Sequence, residues 1–389
     1  MGASLDALQA RADVFVALRR DIHRHPELGL REERTSDLVA ERLQAWGYEV
    51  HRGLATTGVV GTLRRGEGTK RLGLRADMDA LPIHETNTFA HASVTPGVMH
   101  ACGHDGHTAM LLAAAQHIAG SVDFSGTLHL IFQPAEEHPG GAKIMIDEGL
   151  FERFPCDAIY AMHNMPGYPA GHLVLREGAT MASSDDVSIT LRGQGGHGAM
   201  PHRATDVVVA AASVVMALQT VVSRNVDPLQ TAVVTVGALH AGQANNVIPA
   251  EARLELSVRA LDRDVRDLLE QRIRALATAQ AESFGVRAEV DYRRDYPVLV
   301  NTLVETRLAR EVALELLGPE HVTLQGPALT GSEDFASMLE HCPGSYVLIG
   351  NGVGEGSCMV HNPGYDFNDA ILPTGAAFWS QLVWRYLTD

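Results

Sequence analysis

The sequence predicts an α/β protein: an open, mostly parallel sheet with helices on both faces, interrupted by an inserted ferredoxin-like domain of order βαββαβ. Three observations carry this. Up to about residue 185, apolar runs of strand length alternate with amphipathic stretches of helix length, the rhythm of a parallel sheet covered by helices. Between 186 and 295 the order becomes strand, helix, strand, strand, helix, strand. After 296 the first rhythm resumes. The expected division is therefore 1–185 with 296–389 as one domain and 186–295 as the second. A chain of 389 residues is long enough for both.

Taken in order, residues 5–24 and 31–46 read as amphipathic helices, the second closed by Gly47. Strands follow at 71–75, 127–132 and 158–162, with helices at 107–119 and 142–148. In such sheets ligands bind beyond the carboxyl ends of the strands. The polar residues fall there: Asp77 and Asp79 after the first strand, Glu136 and Glu137 after the second, His163 after the third. The inserted domain reads as strands at 187–192, 232–239, 253–260 and 286–292, with helices at 205–224 and 263–284. Helices at 303–317, 332–341 and 374–386 and a strand at 345–349 complete the first domain. An insertion of this kind lets a histidine as late as His361 reach the earlier site.

Composition excludes several classes. Lys plus Arg number 31 against 47 Asp plus Glu, a net charge of −16 without a basic run, so nucleic acid and anionic membrane are not expected partners. The apolar stretch 207–218 falls short of the ~20 residues a membrane helix needs. Residues 1–6 lead into an amphipathic pattern with Arg11, Arg19 and Arg20 rather than the apolar core of a signal peptide, so a cytoplasmic protein is expected. The four cysteines (102, 156, 342, 358) form no disulfide framework, which leaves Cys102 available as a thiolate ligand.

The chemistry starts at His100-Ala101-Cys102-Gly103-His104-Asp105-Gly106-His107, which packs five potential metal ligands into eight residues. A lone histidine is more often a satisfied core residue, but this density argues for function. Cys102 and His104 are two apart, and on an extended backbone their side chains leave one face, giving half of a transition-metal site. Gln133-Pro134-Ala135-Glu136-Glu137 ends the strand of Leu128, Leu130 and Phe132. Neighbouring residues there point in different directions, so one carboxylate can bind metal while the other takes a proton from metal-bound water. His163 and His361 join them as further ligands. Five ligands exceed what one catalytic zinc needs and suit two metals sharing a bridging ligand. Gly193-Gln194-Gly195-Gly196-His197-Gly198 matches a dinucleotide fingerprint in letters only, because no acidic strand end follows ~20 residues on. The chain has no nucleophile elbow, phosphate loop or H-E-x-x-H motif.

Several motifs now stand together: Arg75-Ala76-Asp77-Met78-Asp79-Ala80-Leu81-Pro82, the 100–107 cluster, Gln133 to Glu137, Met162-His163-Asn164, Gly196 to His202, Asn246 to Pro249, and Gly331-Ser332-Glu333-Asp334-Phe335. In this order they resemble the amidohydrolase branch of the aminoacylase/carboxypeptidase-type dinuclear metallopeptidases, which holds hippurate hydrolase, N-acyl-amino-acid deacylases and auxin-conjugate hydrolases. The resemblance runs from about residue 15 to the C-terminus. It implies Cys102, His104, Glu137, His163 and His361 as metal ligands, with Cys102 bridging, and Glu136 as general base and then acid. It implies that the inserted domain is a lid and dimerisation domain, that His197 stabilises the oxyanion from the same or a partner subunit, and that Asn246 and Arg259 hold substrate. Peptidase members usually place His-x-Asp where this chain has Asp77-Met78-Asp79, so Asp77 and Asp79 are expected behind the ligands. His100 and His107 receive no role.

The resulting expectation is a cytoplasmic hydrolase, a homodimer or homotetramer, that cleaves small N-acyl-amino acids by metal-bound hydroxide. Its cofactor is expected to be two divalent ions, with zinc, manganese, cobalt and nickel all suited to the donor set. A dipeptidase or carboxypeptidase, or an N-acetyl-diaminopimelate-type deacetylase, would use the same site.

Overall fold

The computed structural model describes residues 5–354 and 358–388; the first four residues and part of the glycine-rich run 350–356 lie outside them. The chain divides into two compact units, one of Met1–Gly178, Val300–Pro327 and Asp334–Asp389, the other of Ala179–Leu299 and Ala328–Glu333. In chain order the helices and strands are α1 (Leu5–Gln9), α2 (Ala12–Arg24), α3 (Glu33–Ala45), β1 (Glu49–Leu54), β2 (Gly58–Arg65), β3 (Arg71–Asp77), α4 (His104–Ser121), β4 (Gly126–Gln133), α5 (Gly141–Asp147), α6 (Leu150–Arg153), β5 (Ala158–Pro166) and β6 (Leu173–Val174). They continue with β7 (Gly178–Met181), β8 (Ser184–Arg192), β9 (Gly196–His197), α7 (Val207–Asn225), β10 (Ala232–Ala241), β11 (Val247–Ile248), β12 (Glu251–Ala260), α8 (Arg263–Ser283) and β13 (Arg287–Tyr296). The last are β14 (Leu299–Asn301), α9 (Leu303–Leu317), β15 (Val322–Thr323), α10 (Phe335–Leu339), β16 (Gly344–Gly352) and α11 (Leu372–Thr388).

The first unit is built on a sheet of order β1-β2-β4-β3-β5-β16-β6-β15. Its centre, β4-β3-β5-β16, is parallel. The β1–β2 hairpin adds an antiparallel edge, and β6 runs against β16. Every residue of β4 is buried, and all but the first of β3, a pattern that only a sheet covered on both faces produces. Because the central strands share one direction, their carboxyl ends form one rim. Asp77 closes β3, Gln133 closes β4, and His163 lies three residues before the end of β5.

Besides short strands and a short helix not named above, three differences from the sequence expectation stand out. The first helix is two, broken at Ala10 and Arg11. The β1–β2 hairpin escapes a periodicity reading because β1 is largely solvent-facing and shows no clean alternation. The helix expected at 332–341 begins only at Phe335, since Asp334 is drawn under the site, as described below.

The second unit pairs β10-β12-β8-β13 antiparallel throughout, in βαββαβ chain order with α7 and α8 as its helices. Alternate residues Val187, Ile189 and Leu191 of β8 and Leu254, Leu256 and Val258 of β12 face those helices. By length and apolarity α7 could cross a membrane, but Val207, Ala210, Ala211, Val214, Leu218 and Val221 are buried in this core.

In the first unit, α2 is tied to α4 through charge. Arg19, fully buried, reaches Asp366 Oδ1 at 2.7 Å, Asp369 Oδ1 at 2.8 Å and Asp105 Oδ2 at 3.3 Å. His23 Nδ1 lies 2.8 Å from Asp105 Oδ2, and its Nε2 lies 3.2 Å from Glu85 Oε1. Burial alone would lower the His23 pKa, but Asp105 and then Glu85 outweigh it and lift it to about 9. Charged His23 therefore contributes stability in full below pH 6.5, and that contribution is lost as pH rises through 9. The metal-free protein is expected to lose at most about 3 kcal/mol between pH 6 and 10 in urea unfolding from this group. His23→Gln should flatten that segment of the profile; an unchanged slope would remove His23 from the account.

Candidate metal centre

Cys102 and His104 converge for a reason other than strand alternation. Gly103 is left-handed, φ +100°, and caps the N-terminus of α4, whose first residue is His104. A Cβ on Gly103 would overlap Asn164 Oδ1 and lie 2.7 Å from Tyr365 Oη. Gly103→Ala is therefore expected to destabilise the protein by more than about 2 kcal/mol, the left-handed cost plus the displacement of Asn164. Thermal unfolding of the metal-free variant measures this, and a wild-type midpoint would contradict it.

The other expected ligands meet these two. Cys102 Sγ lies 3.4 Å from His163 Nε2. His361 Nε2 lies 3.0 Å from Glu137 Oε1, and the His361 N–H donates to Ala101 O at 2.7 Å, tying that late histidine to the Cys102 loop. Among the described residues, ligand atoms fall within 4.8 Å of one another in five groups: Cys102–His104–His163, Cys102–Glu137–His361, His104–Glu136–Glu137, Asp77–His104–His107 and Glu136–Glu333–Asp334. His104 belongs to three of them, and Cys102, Glu136 and Glu137 to two each. The chain leaves β4 through Pro134 and a left-handed Ala135, φ +55°. A carboxylate oxygen from each of Glu136 and Glu137 comes within 4.8 Å of the other and of a His104 ring nitrogen, so the adjacent carboxylates expected to point apart reach one place.

The partners behind the ligands fix which nitrogen is free. His104 Nδ1 donates to Asp79 Oδ1 at 3.0 Å, and Asp79 Oδ2 accepts the Glu137 N–H at 3.0 Å. His163 Nδ1 donates to Asn164 O at 2.6 Å. Both imidazoles thus present Nε2 to the centre. His104 Nε2 and Glu137 Oε1 are buried without a hydrogen bond of good geometry, unusual unless a further group belongs there. Burial, then Glu137, Glu136 and Asp77, push the Cys102 thiol well above its ordinary value. Burial opposes charge on His104 too, but Asp77, Asp79 and Glu137 raise it to about 10. The carboxylates demand positive charge, and a proton on His104 supplies it in the metal-free chain. Thiolate, imidazole and carboxylate donors gathered around a buried His104 Nε2 that has no hydrogen-bond partner fit divalent metal ions, which would take the place of that proton.

Beneath the ligands runs a buried chain that sequence reasoning missed. Asp334 accepts from Arg75 Nη2 at 3.0 Å, from Gln133 Nε2 and from the Ala142 N–H. Arg75 Nη1 donates to Asp77 Oδ2 at 2.6 Å, and His107 Nδ1 donates to Asp77 Oδ1 at 2.6 Å. His107 Nε2 is 2.7 Å from Asn164 Oδ1, and Asn164 Nδ2 donates to Tyr365 Oη. His107, given no role from sequence, thus joins Asp77 to Asn164. The i, i+2 spacing of Arg75 and Asp77 on a strand was the available signal; Asp334 stood in the quoted Gly331–Phe335 motif, but nothing local showed that its partners are Arg75, Gln133 and Ala142.

His197, Asn246 and Arg259 lie in the second unit. His197 and Val247 are register partners of β9 and β11, and the Gly198 N–H donates to Asn246 O at 2.8 Å, so His197 and Asn246 stand side by side, both exposed. His197 Nδ1 accepts the Ala199 N–H at 3.0 Å, which leaves the ring proton on Nε2. Arg259 Nη1 donates to Ser184 Oγ at 2.7 Å and to Val258 O. His100 is buried with both ring nitrogens unpartnered, and burial lowers its pKa to about 4.

Comparison with known proteins places this geometry. Residues 73–385 match Peptidase family M20/M25/M40. The chain is 44% identical over 373 residues to hippurate hydrolase of Campylobacter jejuni, covering 96% of each protein. It is 39% identical to IAA-amino acid hydrolase ILR1-like 5 of Arabidopsis thaliana, covering 98% of this chain and 89% of that protein. Among solved structures, the Bacillus subtilis YXEP protein, a dinuclear metal binding peptidase from the M20 family, superposes with TM-score 0.85 at 30% identity. That match covers 97% of this chain and 99% of the other.

Proposed function

The chain belongs to Peptidase family M20/M25/M40, and from that premise we propose that it is a metal-dependent amidohydrolase that releases amino acids from small N-acyl conjugates. The observation that carries the reading is the set of overlapping donor groups that Cys102, His104 and Glu137 link together and that Glu136 joins. Cys102, His104, Glu137, His163 and His361 would hold two divalent ions, zinc, manganese, cobalt or nickel, with Cys102 between them. Bound there, such ions lower the pKa of water toward ~7 and polarise an amide carbonyl.

The remaining work falls to the chain's own groups. The Glu136 carboxylate takes a proton from the attacking water and returns it to the amide nitrogen, so that the C–N bond breaks with a neutral amine leaving. Asp79 holds His104 and the Glu137 backbone together, and Asp77 supports His107. His197, with its proton on Nε2, is the donor we assign to the developing oxyanion. Asn246 and Arg259 are assigned to substrate, Arg259 to its carboxylate. The second unit is assigned as lid and dimerisation domain in a homodimer or homotetramer; α7 exposes Val208, Val209 and Met216 on its outer face. Unpaired cysteines suit the cytoplasm.

The test is a panel of acetyl, benzoyl and indoleacetyl amino acids against dipeptides and acetyl-diaminopimelate, read as free amino acid released by metal-loaded protein. Preferential cleavage of the acyl conjugates supports the reading. Cleavage of dipeptides alone would replace it with a dipeptidase.

A further inference from the structure

The loop between α2 and α3 is moulded onto the turn that carries Glu136 and Glu137. The Ala80 N–H, next to Asp79, donates to Glu27 O at 2.8 Å. A Cβ on Gly29 would meet His138 O at 2.5 Å and Ala135 Cβ at 2.9 Å, so only glycine lets the two segments approach. Glu32, fully buried, occupies the N-cap position of α3, yet its carboxylate makes no capping bond. Instead Oε1 accepts the Ala135 N–H at 2.9 Å and Oε2 accepts the Thr57 hydroxyl at 2.6 Å. Ala135, with its φ of +55°, directly precedes Glu136 and Glu137, whose carboxylates meet beside His104. A left-handed backbone is unfavourable for a residue that carries a Cβ, and its N–H would be costly to leave orphaned in a buried turn.

We propose that Glu32 is a positioning residue that holds the left-handed Ala135 turn and thereby places the Glu136 and Glu137 carboxylates beside His104. Nothing in the sequence motifs assigns it a role. It touches neither substrate nor metal; it acts through one backbone hydrogen bond. Burial, with a smaller contribution from Asp79, lifts the Glu32 carboxyl to about 7, so its neutral form is close at hand and a neutral amide is a fair replacement. What the turn needs is an acceptor at the right reach rather than a negative charge.

Two variants separate reach from charge. Glu32→Gln keeps the length and loses the charge; Glu32→Asp keeps the charge and falls one methylene short of Ala135. In the metal-free protein, Glu32→Asp is expected to speed deuterium exchange in a peptide spanning 133–137 by about tenfold or more. In the zinc-loaded protein it should speed zinc loss to a chelator by about 10–100-fold, the range for groups that orient metal ligands. Glu32→Gln should stay within about threefold of wild type in both, as should Thr57→Val, which removes the other partner only. Wild-type exchange and zinc retention in Glu32→Asp would overturn the proposal, and so would a Glu32→Gln that fails as badly as Glu32→Asp. Should Glu32→Asp not fold, Thr57→Val losing zinc would overturn it. The link to catalysis rests on the proposed amidohydrolase reading, but both readouts stand without turnover, so failure of either idea is told apart. With activity, kcat on benzoylglycine should follow zinc retention in Glu32→Asp while KM stays within about threefold.

Discussion

Glu136→Gln is expected to lower kcat for N-acyl-amino acid hydrolysis by about 10²–10⁴-fold, with metal content and KM near wild type. The amide is close in shape to the carboxylate but takes no proton at neutral pH, so the change removes proton transfer and little else. Glu136 Oε2 stands 3.9 Å from His104 Nε2, close to the ligand atoms. Steady-state kinetics with metal analysis of the same preparation reads both quantities. A variant retaining a tenth or more of wild-type kcat would remove Glu136 from the proton work.

Cys102→Ala is expected to act on metal and rate together. Its sulfur belongs to two donor groups, one with His104 and His163 and one with Glu137 and His361, so its loss should weaken metal binding by more than about 100-fold, beyond the 10–100-fold range typical of groups behind the ligands. Turnover should fall in parallel. The competing role, a cysteine nucleophile, is opposed by the buried, carboxylate-lined setting that keeps the thiol protonated without metal. Titration of metal into the apo variant tests the first role. A variant that binds metal normally yet is inactive, together with an acyl–cysteine adduct found by mass in wild type, would favour the second.

Much of the site was legible because its residues sit where strand order places ligands: Asp77 at the end of β3, Glu136 and Glu137 just beyond β4, and His163 late in β5. The reason first read for Cys102 and His104 does not hold. Alternation on an extended backbone predicts the same convergence that a left-handed Gly103 at a helix N-terminus produces, so the two cannot be told apart by spacing. His107 received no role because it opens the expected helix 107–119, where nothing local shows its partners; its work lies in joining Asp77 to Asn164, residues 30 and 57 positions away. Glu32 was hidden as one charge of an amphipathic helix start, since nothing local shows its carboxylate turned to Ala135. Asp334 was absorbed into a predicted helix that begins only after it. These misses share a cause. Each residue acts on a segment distant in sequence, and local periodicity carries no information about that partner.

The central claim, that this donor set makes a metal-dependent amide hydrolase, is tested most directly by following glycine release from benzoylglycine while metal is titrated into the metal-free protein, with bound metal per chain measured at each point. Activity should be absent at zero metal and rise with occupancy to a plateau at about two ions per chain. Full activity in the chelated protein, or no release at any occupancy, would contradict it.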